Sequence, residues 1–210
     1  MIADNNDSLI AGATTPEIRL FKVPVPTGLH TTPLPPGTPL GGWNRNSSAN
    51  PDAATGGMNW TLTSPATIPQ FSAICYLTAR EINERVMCEM GACHMGLIQS
   101  CLGSTDVQSW MSEDMREEAR TTCWAEPGDS PPPVLPPSHS NAPSKAGGAA
   151  TLLFNAMLAP IAGYSLGGAL WDQGENNAHY CSAREYNCLF TTMVQSWRKL
   201  FPGECSHSKQ

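Results

Sequence analysis

Gln173-Gly174-Glu175-Asn176-Asn177 packs three amides, a carboxylate and a glycine into five positions, directly after the apolar run Gly167-Gly168-Ala169-Leu170-Trp171. Side-chain amides are N–H donors, and a sharp passage from apolar segment to polar turn is where an α/β enzyme sets donors for a developing oxyanion. A second turn of this kind, Gly103-Ser104-Thr105, follows the apolar stretch Met95-Gly96-Leu97-Ile98. Each has a plainer reading. Asn177 would serve equally as a turn residue capping the next helix, and Gly103 as a tight-turn glycine.

Three other constellations could carry chemistry. Gly163-Tyr164-Ser165-Leu166-Gly167 satisfies G-x-S-x-G and would give the order Ser165, then Asp172 or Glu175, then His179. A nucleophile elbow needs a strand before its serine and a helix after it. Here a helix ending at Pro160 comes first and an apolar strand follows, so Ser165 reads as an ordinary strand-entry residue. Cys88, Cys93 and His94 match no usual metal-ligand spacing, and no metal or cofactor is expected. His179 reads as a solvated surface histidine.

A net charge of −6 with only 14% charged residues argues against a nucleic-acid partner. Eight cysteines lack paired C-x-x-C spacing, which favours disulfides over zinc. Asn46-Ser47-Ser48 and Asn59-Trp60-Thr61 are glycosylation sequons in a Pro/Gly/Asn-rich stretch, consistent with secretion, although no signal-peptide pattern opens the chain. No charge falls between Lys145 and Asp172, but Asn155, Pro160 and glycines that include Gly147, Gly148, Gly163 and Gly167 interrupt the run. It is expected to be a buried helix followed by a buried strand, with no membrane span.

The elements that would position the two turns follow from periodicity. Residues 17–23 alternate as a strand up to Pro24, and 95–99 read as a central strand. Phe71, Ile74, Cys75, Thr78, Ile82 and Val86 form one helical face, with Arg80–Glu84 and Glu81–Arg85 paired on the other. Residues 107–124 read as a charged helix, 127–148 as a Pro-rich loop or insertion, 151–159 as a helix and 166–171 as a strand. Tyr186, Leu189, Phe190, Met193, Val194, Trp197, Leu200 and Phe201 recur at three and four, which predicts a helix packing on a sheet. Strands alternating with helices imply an α/β domain with a parallel sheet.

Several blocks resemble the sialate O-acetylesterase family. Residues 171–177 resemble W-x-Q-G-E-x-N, Phe71-Ser72-Ala73-Ile74-Cys75-Tyr76-Leu77 resembles F-S-A-V-C-W-L, and Met95-Gly96-Leu97-Ile98 resembles P-I-G-L-I. Residues 103–110 are similar to G-G-T-P-I-E-A-W, departing at Ser104 and Asp106, and residues 154–160 to W-N-A-M-I-x-P. Tyr186-Asn187-Cys188-Leu189-Phe190 with Trp197-Arg198 resembles Y-N-C-x-F…D-W-R. The resemblance covers residues 16–201 in order and implies an incomplete three-layer α/β/α SGNH-hydrolase-like domain with a central parallel sheet. Residues 1–210 would form that single partial domain.

It further implies hydrolysis of sugar O-acetyl esters by a nucleophilic serine. The backbone N–H of Gly103 and the amide of Asn177 would form the oxyanion hole, while Gln173, Gly174 and Glu175 shape the turn and tie it down. The family's G-Q-S-N-M and D-x-x-H blocks have no match in the 210 residues. Nucleophile and base are therefore expected outside this chain, which alone is expected to be inactive. Ser8 and His207 lack the flanking residues of those blocks. The implied partner is an O-acetylated sugar, and the implied location is secreted, lysosomal or endomembrane. The alternatives are a non-catalytic sugar-binding remnant, a fragment that does not fold alone, and a Ser165 α/β-hydrolase.

Overall fold

The alternation at residues 17–23 resolves as strand β1, Ile18–Lys22, in a computed structural model that describes residues 6–25, 32–38, 60–87, 94–123, 151–179 and 183–201. Ile18 and Leu20 point into the core and Arg19 away from it, the inside–outside pattern of a half-buried strand. The described chain divides into two compact units, residues 1–25 with 39–101 and residues 26–38 with 102–210.

In the first unit, helix α1 (Asn6–Ala11) leads to β1, the two-residue strand β2 (Thr61–Leu62) runs antiparallel to β1, and β3 (Met95–Gln99) runs parallel to it. The order is β2-β1-β3. The sheet is thus mixed, where the sequence reading expects a parallel one: the parallel pair carries a short antiparallel edge strand, a common arrangement in α/β folds.

Trp60, just before β2, lays its indole over Gly96 of β3. A Cβ at residue 96 would come within 2.9 Å of the ring, so only glycine fits. Phe21 meets the same indole at 5.1 Å between ring centroids.

Helix α2 (Ala73–Ile82) starts at Ser72, whose side chain accepts from the Cys75 N–H, and runs on into a π turn at Asn83–Met87. Its buried residues are Tyr76 and Ala79, which join Ala13, Ile18, Leu20 and Leu97 in the core. Phe71 and Cys75 of the expected stripe pack against that core, but Ile82 is 43% and Val86 47% exposed. The π turn explains part of this correction: its extra residue per turn advances the phase, so positions beyond Ile82 leave the expected face. Both charge pairs form, Arg80 with Glu84 at 3.7 Å and Arg85 with Glu81.

The second unit is helical among its described residues. A 3₁₀ turn at Val107–Trp110 leads to α3 (Glu113–Thr122), so the charged helix expected from residue 107 begins at Glu113, where Ser112 caps it. A π segment at Phe154–Leu158 and a 3₁₀ turn at Ala159–Ile161 form a fully buried rod, matching the expected helix at 151–159. Then come α4 (Glu175–His179) and α5 (Tyr186–Leu200). The stripe of α5 packs on α3 and on the 107–110 turn, helical partners where the sequence reading expects a sheet. A disulfide from Cys123 to Cys188 ties the end of α3 to the first turn of α5.

The strand expected at 166–171 is not one. This segment has no regular structure, and Leu170 is 55% exposed. Gly167, Gly168 and Ala169 supply neither the β-branched bulk nor the stiffness that holds a strand. No helix among the described residues is long and apolar enough to cross a membrane. The Asn46 sequon, Asn59 of the second sequon, the Pro-rich 127–148 stretch, Cys88, Cys93, Cys181, Cys205 and His207 lie outside the described residues.

Candidate functional site

The two polar turns meet inside the second unit. Asn177 lies in the short helix α4 and is 1% exposed. Its Oδ1 accepts the backbone N–H of Val107 at 3.0 Å, and its Nδ2 donates to Gln108 Oε1 at 2.9 Å. Gln173 Nε2 donates to the same Asn177 Oδ1 at 2.7 Å and to the Thr105 carbonyl at 3.1 Å. The 173–177 turn is therefore bonded to residues 105–108, two positions after Gly103. Gly174, at φ +154°, adopts a backbone conformation that favours glycine, and Glu175 is exposed.

Gly103 is exposed, and its φ is not in the left-handed region. A Cβ there would meet nothing within 4 Å. The strained residue of this turn is its neighbour Ser104, at φ +59°. The local fold thus gives no reason for glycine at 103, whereas close approach by a ligand to its backbone would.

The rest of the turn is locked from below. Thr105 Oγ1 donates to the Leu102 carbonyl at 2.9 Å and accepts from Trp110 Nε1 at 3.0 Å. Asp106 caps the 3₁₀ turn, its Oδ1 accepting the Ser109 N–H at 3.0 Å and the Ser109 hydroxyl at 2.6 Å. Burial pushes the Asp106 carboxyl above its ordinary pKa, against the opposing pull of the Ser109 bonds and the positive charge of Arg116. Burial lowers Arg116 in turn, opposed by Glu113 and Asp106, and Arg116 Nη1 lies 3.4 Å from the Gln108 carbonyl.

Gln108 and Tyr186 belong to this network although motif reading gave them no site role. Only the family blocks that contain them could have flagged them. Around them Trp171 meets Trp110, Trp197 and Phe190 at centroid distances of 6.2, 5.5 and 6.1 Å.

Ser165 is exposed on the irregular 162–171 segment, with no strand before it and no helix directly after it, so the elbow geometry does not form. Asp172 is exposed, Ser8 sits on the exposed side of α1, and the His179 side chain lies outside the described residues. His94 is exposed; among the described residues no group of three His, Cys, Asp or Glu side chains could hold a metal ion.

The fold has a solved counterpart. A carbohydrate acetylesterase from Xanthomonas citri superposes on 96% of this chain and 35% of its own, with a TM-score of 0.64 at 22% identity. The small mixed sheet with helices is an α/β arrangement that shares its fold with that enzyme. No family model matches the chain.

Sequence comparison narrows the class. The sialate O-acetylesterase of Homo sapiens is 30% identical over 130 residues, covering 62% of this chain and 21% of that enzyme. The Mus musculus sialate O-acetylesterase is 28% identical over 148 residues, covering 62% and 26%. The chain is a relative of the sialate O-acetylesterases and spans about a fifth to a quarter of their length.

Proposed function

We propose that this protein acts in hydrolysis of O-acetyl esters of sugars and that the turns at Gly103 and Gln173–Asn177 form the oxyanion side of the site. One observation carries the reading. Gly103 needs to be glycine neither for its own backbone nor for packing, yet it stands two residues before Thr105, which Gln173 holds, and four before Val107, which Asn177 holds. An exposed backbone N–H beside a rigid amide framework is what a tetrahedral oxyanion requires, and each such donor is worth about 2.7–4 kcal/mol of transition-state stabilisation. Gln173, Gly174 and Glu175 would hold this turn in place.

The reaction would be acyl transfer to a serine activated by a histidine, followed by hydrolysis, with both groups supplied from outside this chain. The finer architecture, one partial three-layer SGNH-type domain over residues 1–210, belongs to the same proposal, as does a secreted or lysosomal setting.

Asn177 is buried with its Nδ2 given to Gln108, so its part in this proposal is to hold the turn that carries Gly103 rather than to reach the oxyanion itself. The second reading is a sugar-binding wall without turnover. Both are tested on the 210-residue chain by assaying acetate release from O-acetylated sialic acid while following the Gly103 backbone and Asn177 side-chain amide signals by NMR during acetate titration. Perturbation of both signals without turnover is the expected result. Absence of any response at Gly103 removes the oxyanion reading, and turnover lost on Ser165→Ala would transfer the chemistry to the 163–167 segment.

A further inference from the structure

Arg116 is a buried charge with too few partners. It lies on the buried face of α3, is 5% exposed, and takes part in no ion pair among the described residues. Of its five N–H hydrogens one is engaged, by a bond from Nη1 to the Gln108 carbonyl that is long at 3.4 Å. Arg120, one turn further on, shows the ordinary arrangement: it is less buried, yet its Nε and Nη2 both bond the Glu117 carboxylate.

A guanidinium taken out of water is tolerated where hydrogen bonds or a counter-charge replace its hydration. Neither acidic neighbour supplies them. Asp106 gives its Oδ1 to the Ser109 N–H and hydroxyl, and burial raises its pKa, which weakens its negative charge. Glu113 attracts the guanidinium through space but forms no ion pair with it. The polar atoms that are both unpartnered and sealed from solvent belong to Tyr76, Asn83, Asn176 and Glu185. Nε and Nη2 of Arg116 are not among them, so that edge of the fork keeps an opening. Its hydrogens have the spacing that grips two carboxylate oxygens through parallel bonds.

We propose that Arg116 binds the carboxylate of an acidic sugar at the α3 side of the wall formed by residues 105–108. The placement follows from Gln108, whose carbonyl receives Arg116 while its Oε1 receives Asn177 Nδ2 from the other turn. A single negative charge suits the position, because Glu113 and Asp106 stand within electrostatic range and oppose a doubly charged phosphate. A neutral sugar leaves the guanidinium as under-bonded as before, so the residue selects for charge. The sugar in this assignment rests on the proposed esterase reading, whereas the carboxylate contact rests on Arg116 alone.

The test titrates the 210-residue chain with N-acetylneuraminic acid and with its neutral carboxamide, following the Arg116 Nε–H and Gly103 N–H signals by NMR. The acid should move the Arg116 signal and bind about ten- to a hundredfold tighter than the carboxamide, the worth of a charge-assisted pair. Arg116→Gln should erase that ratio with the carboxamide affinity unchanged. Arg116→Lys, which serves if Arg116→Gln does not fold, keeps the charge but lacks the fork, and should shrink the ratio. A merely structural arginine would lower the melting temperature in both variants and leave the ratio intact. That result overturns the inference, as does equal binding of acid and carboxamide, or binding of neither, by the wild type. Inorganic phosphate or acetate competing as well as the acid would refute the sugar assignment. An Arg116-dependent ratio in a chain whose Gly103 never responds to acetate sustains the carboxylate contact and refutes the oxyanion reading alone.

Discussion

The two units solve the problem of buried polar groups in opposite ways. In the first, backbone ladders between β1, β2 and β3 satisfy the main chain around an apolar core, and the Tyr76 hydroxyl and Asn83 Oδ1 have no partner among the described residues, as Asn176 Nδ2 and Glu185 Oε2 have none in the second. In the second, no described strand exists, and side-chain amides stand in for a ladder: Asn177 holds the Val107 N–H and Gln173 holds the Thr105 carbonyl. The lesson is that removing a buried amide is costly in the second unit, where it leaves backbone groups without their partners. There, Asn177 and Gln173 each carry a backbone bond as well as a side-chain bond.

Stabilisation by the cross-link should differ most between the units. Cys123 and Cys188 close a loop with a separation of 65 residues, while Cys75 and Cys101 in the first unit are free thiols. Replacing both bonded cysteines by serine should cost about 4 kcal/mol. Hydrogen exchange should show lost protection in α3 and α5 with β1 and β3 unaffected; equal loss in both would break the contrast.

Next in size, Asn177→Ala leaves the Val107 N–H and Gln108 Oε1 without this partner inside the protein, a loss of about 3 kcal/mol by denaturant melting. A matched pair of tyrosines sharpens the point. Tyr186→Phe should cost about 1 kcal/mol, whereas Tyr76→Phe, which removes an unpartnered buried hydroxyl, should be neutral or slightly stabilising.

Ser104→Gly should stabilise the second unit by about 0.5–1 kcal/mol by relieving a left-handed residue. Gly103→Ala, beside it, should leave melting unchanged because its methyl enters open space, while weakening the acetate response.

The smallest effect concerns pH. The Asp106 carboxyl is raised by burial, so the native state holds its proton more tightly than the unfolded chain does. Its favourable contribution is complete below the unfolded value and is lost as pH rises through the folded value. Wild type should therefore gain stability relative to Asp106→Asn as pH falls through the carboxylate range, by less than about 1 kcal/mol, measured by paired urea melts.

The sequence exposes those features whose causes are local. β1 and β3 follow from short alternating or apolar runs, α5 from an unbroken three-and-four stripe, and the site turns from their compact motifs. Features set by distant partners were hidden. The bond from Asn177 to Gln108 spans 69 positions, and nothing near residue 186 signals that its hydroxyl would meet Gln173. The α2 stripe failed in part because a π turn shifts phase without a sequence marker, and the 166–171 strand because apolar character there rests on glycine and alanine rather than on packing bulk.

Trp60 resting on Gly96 makes those two positions a lock and its bolt. A side chain added at 96 must push aside the outer edge of the indole that now lies 2.9 Å from the Cβ position. Genetic suppressors of Gly96→Ala should accordingly arise at residue 60 as smaller side chains, and such a pair should recover the sheet that neither change preserves alone.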